Sequence, residues 1–166
     1  MAGKTDFTPD EWKLVLESPM VASIAITAAA PSGLFGIVKE AFASGRALAE
    51  AKSDPGANEL TKAVVADYET SEGRTIARDG LQATLSDSKA GEVNAKAVAA
   101  LKQVAALLDA KAPGDATAYK TWLRHVSQAV AESATEGGFL GFGGVKVSEA
   151  EKATLDEISQ VLGLPA

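Results

Sequence analysis

Residues 93–114 read VNAKAVAALKQVAALLDAKAPG. Val93, Ala97, Leu101, Val104 and Leu108 recur every three or four residues, the spacing that puts side chains on one face of an α-helix. This is the clearest amphipathic stripe in the chain, and it predicts a helix with one buried face. Ala112-Pro113-Gly114 is expected to end that helix, and Asp115 to cap the next. The same spacing extends in both directions along the chain.

Downstream, Tyr119, Trp122, Leu123, Val126 and Val130 form the core face of a further helix that Gly137-Gly138 stops. A last helix is expected to start at Ser148, with Glu151 completing a capping box, to bury Leu155, Ile158 and Leu162, and to end at Gly163. Upstream, Thr8-Pro9-Asp10-Glu11 opens the first helix, with Thr8 as cap, Pro9 at the first helical position and Glu11 closing a capping box. Trp12, Val15 and Leu16 make its apolar face. Ser18-Pro19 is expected to restart or kink the chain, because proline cannot continue the hydrogen-bond ladder. A helix then runs to Ala30, Pro31-Ser32-Gly33 breaks it, and another covers roughly residues 33–52 with Phe35, Val38 and Phe42 on one face. Asp54-Pro55-Gly56 is a strong breaker. Leu60, Val64 and Tyr68, then Ala77, Leu81 and Leu85, carry the spacing onward as one helix interrupted at Gly73 or as two. Residues 86–91 form a polar connection.

Of 166 residues, 33 are alanine. Alanine has the best intrinsic helix propensity and lets helix backbones approach closely. Alternating β-branched runs with Asn-Gly or Asp-Gly turns are missing. The expectation is an all-α, compact single-domain bundle of six or seven helices with short connections, spanning 1–166. Residues 1–7 read as an N-terminal tail and 137–147 as an apolar glycine-rich loop.

The composition narrows the function classes. With no cysteine, disulfide scaffolds, thiolate clusters and cysteine nucleophiles are excluded. The single histidine, His125, cannot build a histidine-rich metal site. A formal charge of -6 argues against nucleic acid, whose phosphates demand a basic patch. No polybasic cluster points to anionic lipid. The N-terminus lacks the apolar region of a secretory signal and has no myristoylation motif, so the expected location is the cytoplasm, and the expected origin bacterial.

Two features stand out. Ser18 to Val38 is a run of 21 residues without charge, near the length of a membrane span. Pro31-Ser32-Gly33 interrupts it, and a helix apolar on all sides also suits the centre of a bundle, so a buried hairpin is the preferred reading. The second is Gly137-Gly138-Phe139-Leu140-Gly141-Phe142-Gly143-Gly144, with five glycines and three large apolar residues in eight positions. Its side chains either plug the end of the bundle or form an apolar tip that contacts a partner or a membrane interface. Residues 23–36 (SIAITAAAPSGLFG) and 127–141 (SQAVAESATEGGFLG) align with one insertion, Leu34-Phe35 falling opposite Phe139-Leu140. Each is a helix followed by a small-residue turn and two large apolar residues between glycines. The two segments are therefore expected near each other, forming one apolar surface.

The stretch from Glu136 to Glu151, EGGFLGFGGVKVSEAE, resembles a segment found in uncharacterised bacterial all-helical proteins, and PSGLFGIVKE looks like part of the same pattern. The resemblance implies a bacterial helical protein and says nothing about catalysis.

Motifs for chemistry fail on inspection. The glycine stretch lacks the Gly-Lys-Ser/Thr of a phosphate loop, and Lys146 occupies the last place of G-x-G-x-x-G. His125 has no carboxylate on its own helical face, so it reads as a surface histidine. Asp67, Glu69, Glu72 and Asp79 match neither a di-iron half-site nor a calcium loop and read as a solvated face, with Arg74 and Arg78 placed to pair with them. Trp12 and Trp122 fall on apolar stripes as core anchors. Ser23, Thr27 and Ser127 read as buried hydroxyls bonded to backbone carbonyls.

No catalytic residue, cofactor or metal site is therefore expected. The reading is a non-catalytic cytoplasmic interaction or assembly protein. It contacts itself, as a homo-oligomer, or a protein partner through Leu34, Phe35, Phe139, Leu140 and Phe142. The alternative is a helical protein that binds a membrane surface, a lipid or a hydrophobic small molecule in a pocket between alanine-rich helices.

Overall fold

The computed structural model describes residues 2–29, 37–135 and 147–165. Its described residues form seven α-helices: α1 (Pro9–Ala29), α2 (Ile37–Ser53), α3 (Glu59–Glu69), α4 (Ser71–Thr84), α5 (Val93–Lys111), α6 (Pro113–Thr135) and α7 (Glu149–Val161). No strand occurs among them, and the all-α bundle holds.

Helix α1 is the axis of the bundle and touches all six other helices. Val15, Leu16, Val21, Ala22, Ala25 and Ile26 along it are buried. By length and composition α1 could cross a bilayer, yet two thirds of its most apolar window lies inside the bundle. The alanines act as close-approach points: Ala22, Ala25, Ala77, Ala97 and Ala131 have no exposed surface. The α5 stripe is core as expected, with Ala97, Leu101, Val104 and Leu108 buried and Val93 half-buried at the helix start.

The capping chemistry is as the residues predict. Thr8 and Glu11 exchange hydrogen bonds, Thr8 N donating to Glu11 Oε2 at 2.8 Å and Glu11 N to Thr8 Oγ1 at 3.3 Å. Ser148 and Glu151 form the same box at α7. Gly163 closes α7 with φ of 69°, a left-handed conformation that glycine adopts without a Cβ penalty. Ser23, Thr27 and Ser127 hydroxyls all donate to backbone carbonyls.

Several boundaries differ from expectation. Pro19 does not break the chain: α1 continues through it. A proline removes one backbone donor and leaves the carbonyl four residues earlier, Val15 O, without its helical partner. That carbonyl is served by Ser18 Oγ at 2.7 Å and by Tyr119 Oη of α6 at 3.1 Å. Tyr68 Oη of α3 donates to the next carbonyl, Leu16 O, at 2.7 Å. One local and one tertiary hydroxyl replace the lost backbone donor, and α1 continues through Pro19.

Residues 60–85 form two helices, and the joint is Thr70 rather than Gly73. Thr70 N–H closes α3 on Asp67 O, and its hydroxyl oxygen accepts from Gly73 N to open α4. Gly73 sits inside α4, where a Cβ would come within 2.1 Å of Asp67 O. Its missing side chain is what allows so tight a corner. Helix α6 begins at Pro113, a favoured first position, so Ala112 alone separates it from α5. Asp115 is thus within α6, and its carboxylate accepts from Ala2 N at 2.7 Å. Residues 2–7, expected as a tail, lie against the bundle, with Ala2 and Phe7 buried and a 3-10 turn at Lys4–Asp6.

Candidate functional site

Cross-helix hydrogen bonds fix the helix directions. Val15 and Ser18 of α1 meet Tyr119 of α6, and Ala22 O of α1 accepts from Ser127 Oγ of α6 at 3.2 Å. Numbers rise together, so α1 and α6 run parallel. Asn94 at the start of α5 donates to Ala25 O near the end of α1, while Lys111 at the end of α5 pairs with Glu11 at the start of α1, so α5 runs antiparallel to both. Asn94 also donates to Thr154 Oγ1 midway along α7, and Arg124 of α6 donates to Ser159 Oγ nearer the end of α7, so α7 starts toward the end of α6. The ends of α1 and α6 and the starts of α5 and α7 thus share one end of the bundle.

Residues 30–36 follow α1 and residues 136–146 follow α6, so both apolar glycine segments leave the described helices at that end. The candidate residues Leu34, Phe35, Phe139, Leu140 and Phe142 lie outside the described residues.

A second feature was not visible in the sequence. Between the C-terminal half of α2, the turn after it, the start of α3 and the middle of α6 lies a groove of about 470 Å³. The buried Ala47 and Ala51, with Ala57 and the exposed Ala118, give it apolar lining, and Glu50, Asp54, Asn58, Thr61, Thr121, Trp122 and His125 supply the rest of its chemistry. The local sequence accounts for its shape. Asp54-Pro55-Gly56 ends α2, with Asp54 Oδ1 accepting from Gly56 N at 2.8 Å in an Asx turn. Asn58 then caps α3 by accepting from Thr61 N at 2.9 Å. Alanines on the facing sides of α2 and α6 leave the gap that larger residues would fill.

His125 is exposed, as expected, but it is not isolated. Its Nε2 lies 3.8 Å from Glu50 Oε2 of α2. Arg46 donates to Glu50 at 2.8 Å and holds its carboxyl below the usual range, with His125 adding to the effect. Trp122 is half-buried and packs on Tyr119 with ring centroids 5.3 Å apart. Its indole nitrogen is buried without a hydrogen-bond acceptor among the described residues. Trp12 is the buried anchor, and its indole donates to Asp67 Oδ2 at 2.7 Å.

Asp67 therefore departs from the solvated face expected for the acidic stretch. It is bonded to both Trp12 and Lys4 and only 15% exposed. Arg74 donates to the Tyr68 and Glu69 carbonyls rather than to a carboxylate. Two further polar groups escaped the sequence reading. Glu17 of α1 is buried and accepts from Thr84 of α4 at 2.8 Å. Lys120 of α6 is buried along its stem and reaches Asp109 of α5 at 2.6 Å. Among the described residues no group of three acidic or histidine side chains could hold a metal ion.

No known protein family, curated protein or solved structure matches the chain.

Proposed function

We propose that the chain is a non-catalytic, cytoplasmic interaction or assembly protein whose contact surface is formed by Leu34, Phe35, Phe139, Leu140 and Phe142. What supports this is the parallel pairing of α1 and α6, fixed by Tyr119 and Ser127, which brings the ends of both helices to one side of the molecule. Two segments that each carry large apolar residues between glycines begin from that side. Tethering two apolar clusters at one end raises their local concentration for a common partner. A second copy of the chain is the simplest partner, since like surfaces pair in a two-fold dimer.

The cytoplasmic location is part of the same reading, and the burial of two thirds of the most apolar window of α1 inside the bundle is in keeping with it. Size-exclusion chromatography with light scattering tests the proposal. The expected result is concentration-dependent self-association that the double variant Phe139→Ser, Phe142→Ser abolishes. A monomer at every concentration, unchanged by the double variant, overturns it. Co-sedimentation of the wild-type chain with neutral liposomes, lost in the double variant, would favour a membrane partner instead.

A further inference from the structure

The groove between α2, α3 and α6 stands apart from the two apolar segments. His125 precedes the end of α6 by ten residues, about 15 Å of helix. The groove has the size of ordinary small-molecule clefts, which run from roughly 300 to 1,000 Å³. Its lining has a definite electrostatic character. Glu50 and Asp54 are carboxylates, and among the described residues no lysine or arginine lines the groove. Glu50 is answered in part by Arg46 and His125. Asp54 is answered by no described cation and bonds only the Gly56 N–H. Asp54 is exposed, so its carboxylate is open to a ligand in the groove, while the groove alanines and Trp122 offer apolar surface. A cation over or beside an indole is favoured by the ring quadrupole, and a carboxylate next to it adds a charge-assisted hydrogen bond.

We propose that this groove binds a small organic ammonium compound with an apolar body. The ammonium donates to the Asp54 carboxylate, with Glu50 adding attraction from the rim. The apolar body lies on Trp122 and on Ala47 and Ala51, with Ala118 at the exposed edge. Asn58 and Thr61 stand at the α3 end, where a polar substituent would meet them. An anionic ligand is disfavoured by both carboxylates, and a purely apolar one gains nothing from them.

The test uses three probes of similar body and different charge on the full chain: 2-phenylethylamine, benzyl alcohol and 3-phenylpropionate. Binding is followed by amide and indole N–H resonances, with the Trp122 indole identified by its loss in Trp122→Phe. The amine is expected to shift the Trp122 indole and the amides of Gly56 and Asn58 in a saturable way, and the propionate to leave them in place. Asp54→Asn keeps the acceptor for Gly56 N and removes the charge, so it is expected to weaken the amine about tenfold. No saturable shift with the amine overturns the proposal. So does equal binding of benzyl alcohol, or an Asp54→Asn chain that binds the amine as tightly as wild type. The three-probe comparison on the wild-type chain stands by itself if the variant fails to fold.

Discussion

The Tyr119 hydroxyl donates across the bundle to the Val15 carbonyl, the acceptor that Pro19 leaves without a helical partner. Burial pushes the Tyr119 phenol well above its ordinary pKa, so it stays a donor throughout the usual pH range. With Ser18 it serves the carbonyl that Pro19 frees, and with the Ser127–Ala22 bond it ties α1 to α6 in parallel.

Tyr119→Phe is expected to destabilise the chain by about 1 kcal/mol, since Ser18 still serves the same carbonyl. In a Pro19→Ala background the restored N–H supplies Val15 O, and the cost of losing the hydroxyl should shrink. Urea denaturation of the four chains of this cycle measures the coupling. An equal cost in both backgrounds would show that the Val15 carbonyl is not what the hydroxyl serves.

Glu17 is buried on α1, and removal of water raises its pKa above 4.5, against the opposing effects of Thr84 and Lys13. The fold therefore favours the protonated acid. Its contribution is fully present below the unfolded pKa and is lost as pH rises through the higher folded value. At pH 7 the buried carboxylate is a cost. Glu17→Gln keeps an acceptor for Thr84 and carries no charge, so it is expected to raise Tm at neutral pH. The gain should narrow as pH falls through the carboxylate range. A lower Tm at neutral pH, or a gain independent of pH, refutes the assignment.

Gly73→Ala is expected to cost about 1–3 kcal/mol, because the added methyl meets backbone at Asp67 that cannot swing away. Gly114→Ala is the contrast: nothing lies within 4 Å of its added Cβ, and the change should be neutral or stabilising by up to about 1 kcal/mol. Thermal unfolding of both variants separates a steric requirement for glycine from a conformational one.

The two tryptophans should respond differently to phenylalanine. Trp12→Phe removes a donor from Asp67 and leaves a largely buried carboxylate with one partner fewer, at about 1–3 kcal/mol. Trp122→Phe removes an indole N–H that already lacks an acceptor, so its cost should be smaller. Chemical denaturation of each single variant gives the comparison, and the reverse order would contradict the hydrogen-bond assignment.

The local signals that proved readable were those whose physics is local. Capping boxes at Thr8 and Ser148, the Asp54-Pro55-Gly56 stop, the Gly163 end and the α5 stripe each depend on residues within one or two turns of one another. Pro19 misled because its local effect is to break a helix, and of the two hydroxyls that serve the freed carbonyl one is its neighbour Ser18 and the other, Tyr119, stands 100 residues further along the chain. Asp67 read as solvated because Trp12 and Lys4, its partners, come from the other end of the first half of the chain. The groove was illegible for the same reason. Glu50 and His125 are 75 positions apart, and neither helix by itself suggests the other.

The sequence by itself determined that this chain is helical, where most helices start and stop, and which faces are apolar, because propensity, capping and periodicity act over a few residues. Tertiary structure alone decided that α1 passes through its proline, that α1 and α6 run parallel with their ends together, and that Asp54, Trp122 and His125 line one groove. Those outcomes rest on hydrogen bonds and packing between residues tens of positions apart. Their partners are chosen by the three-dimensional arrangement of the helices, which no local pattern encodes.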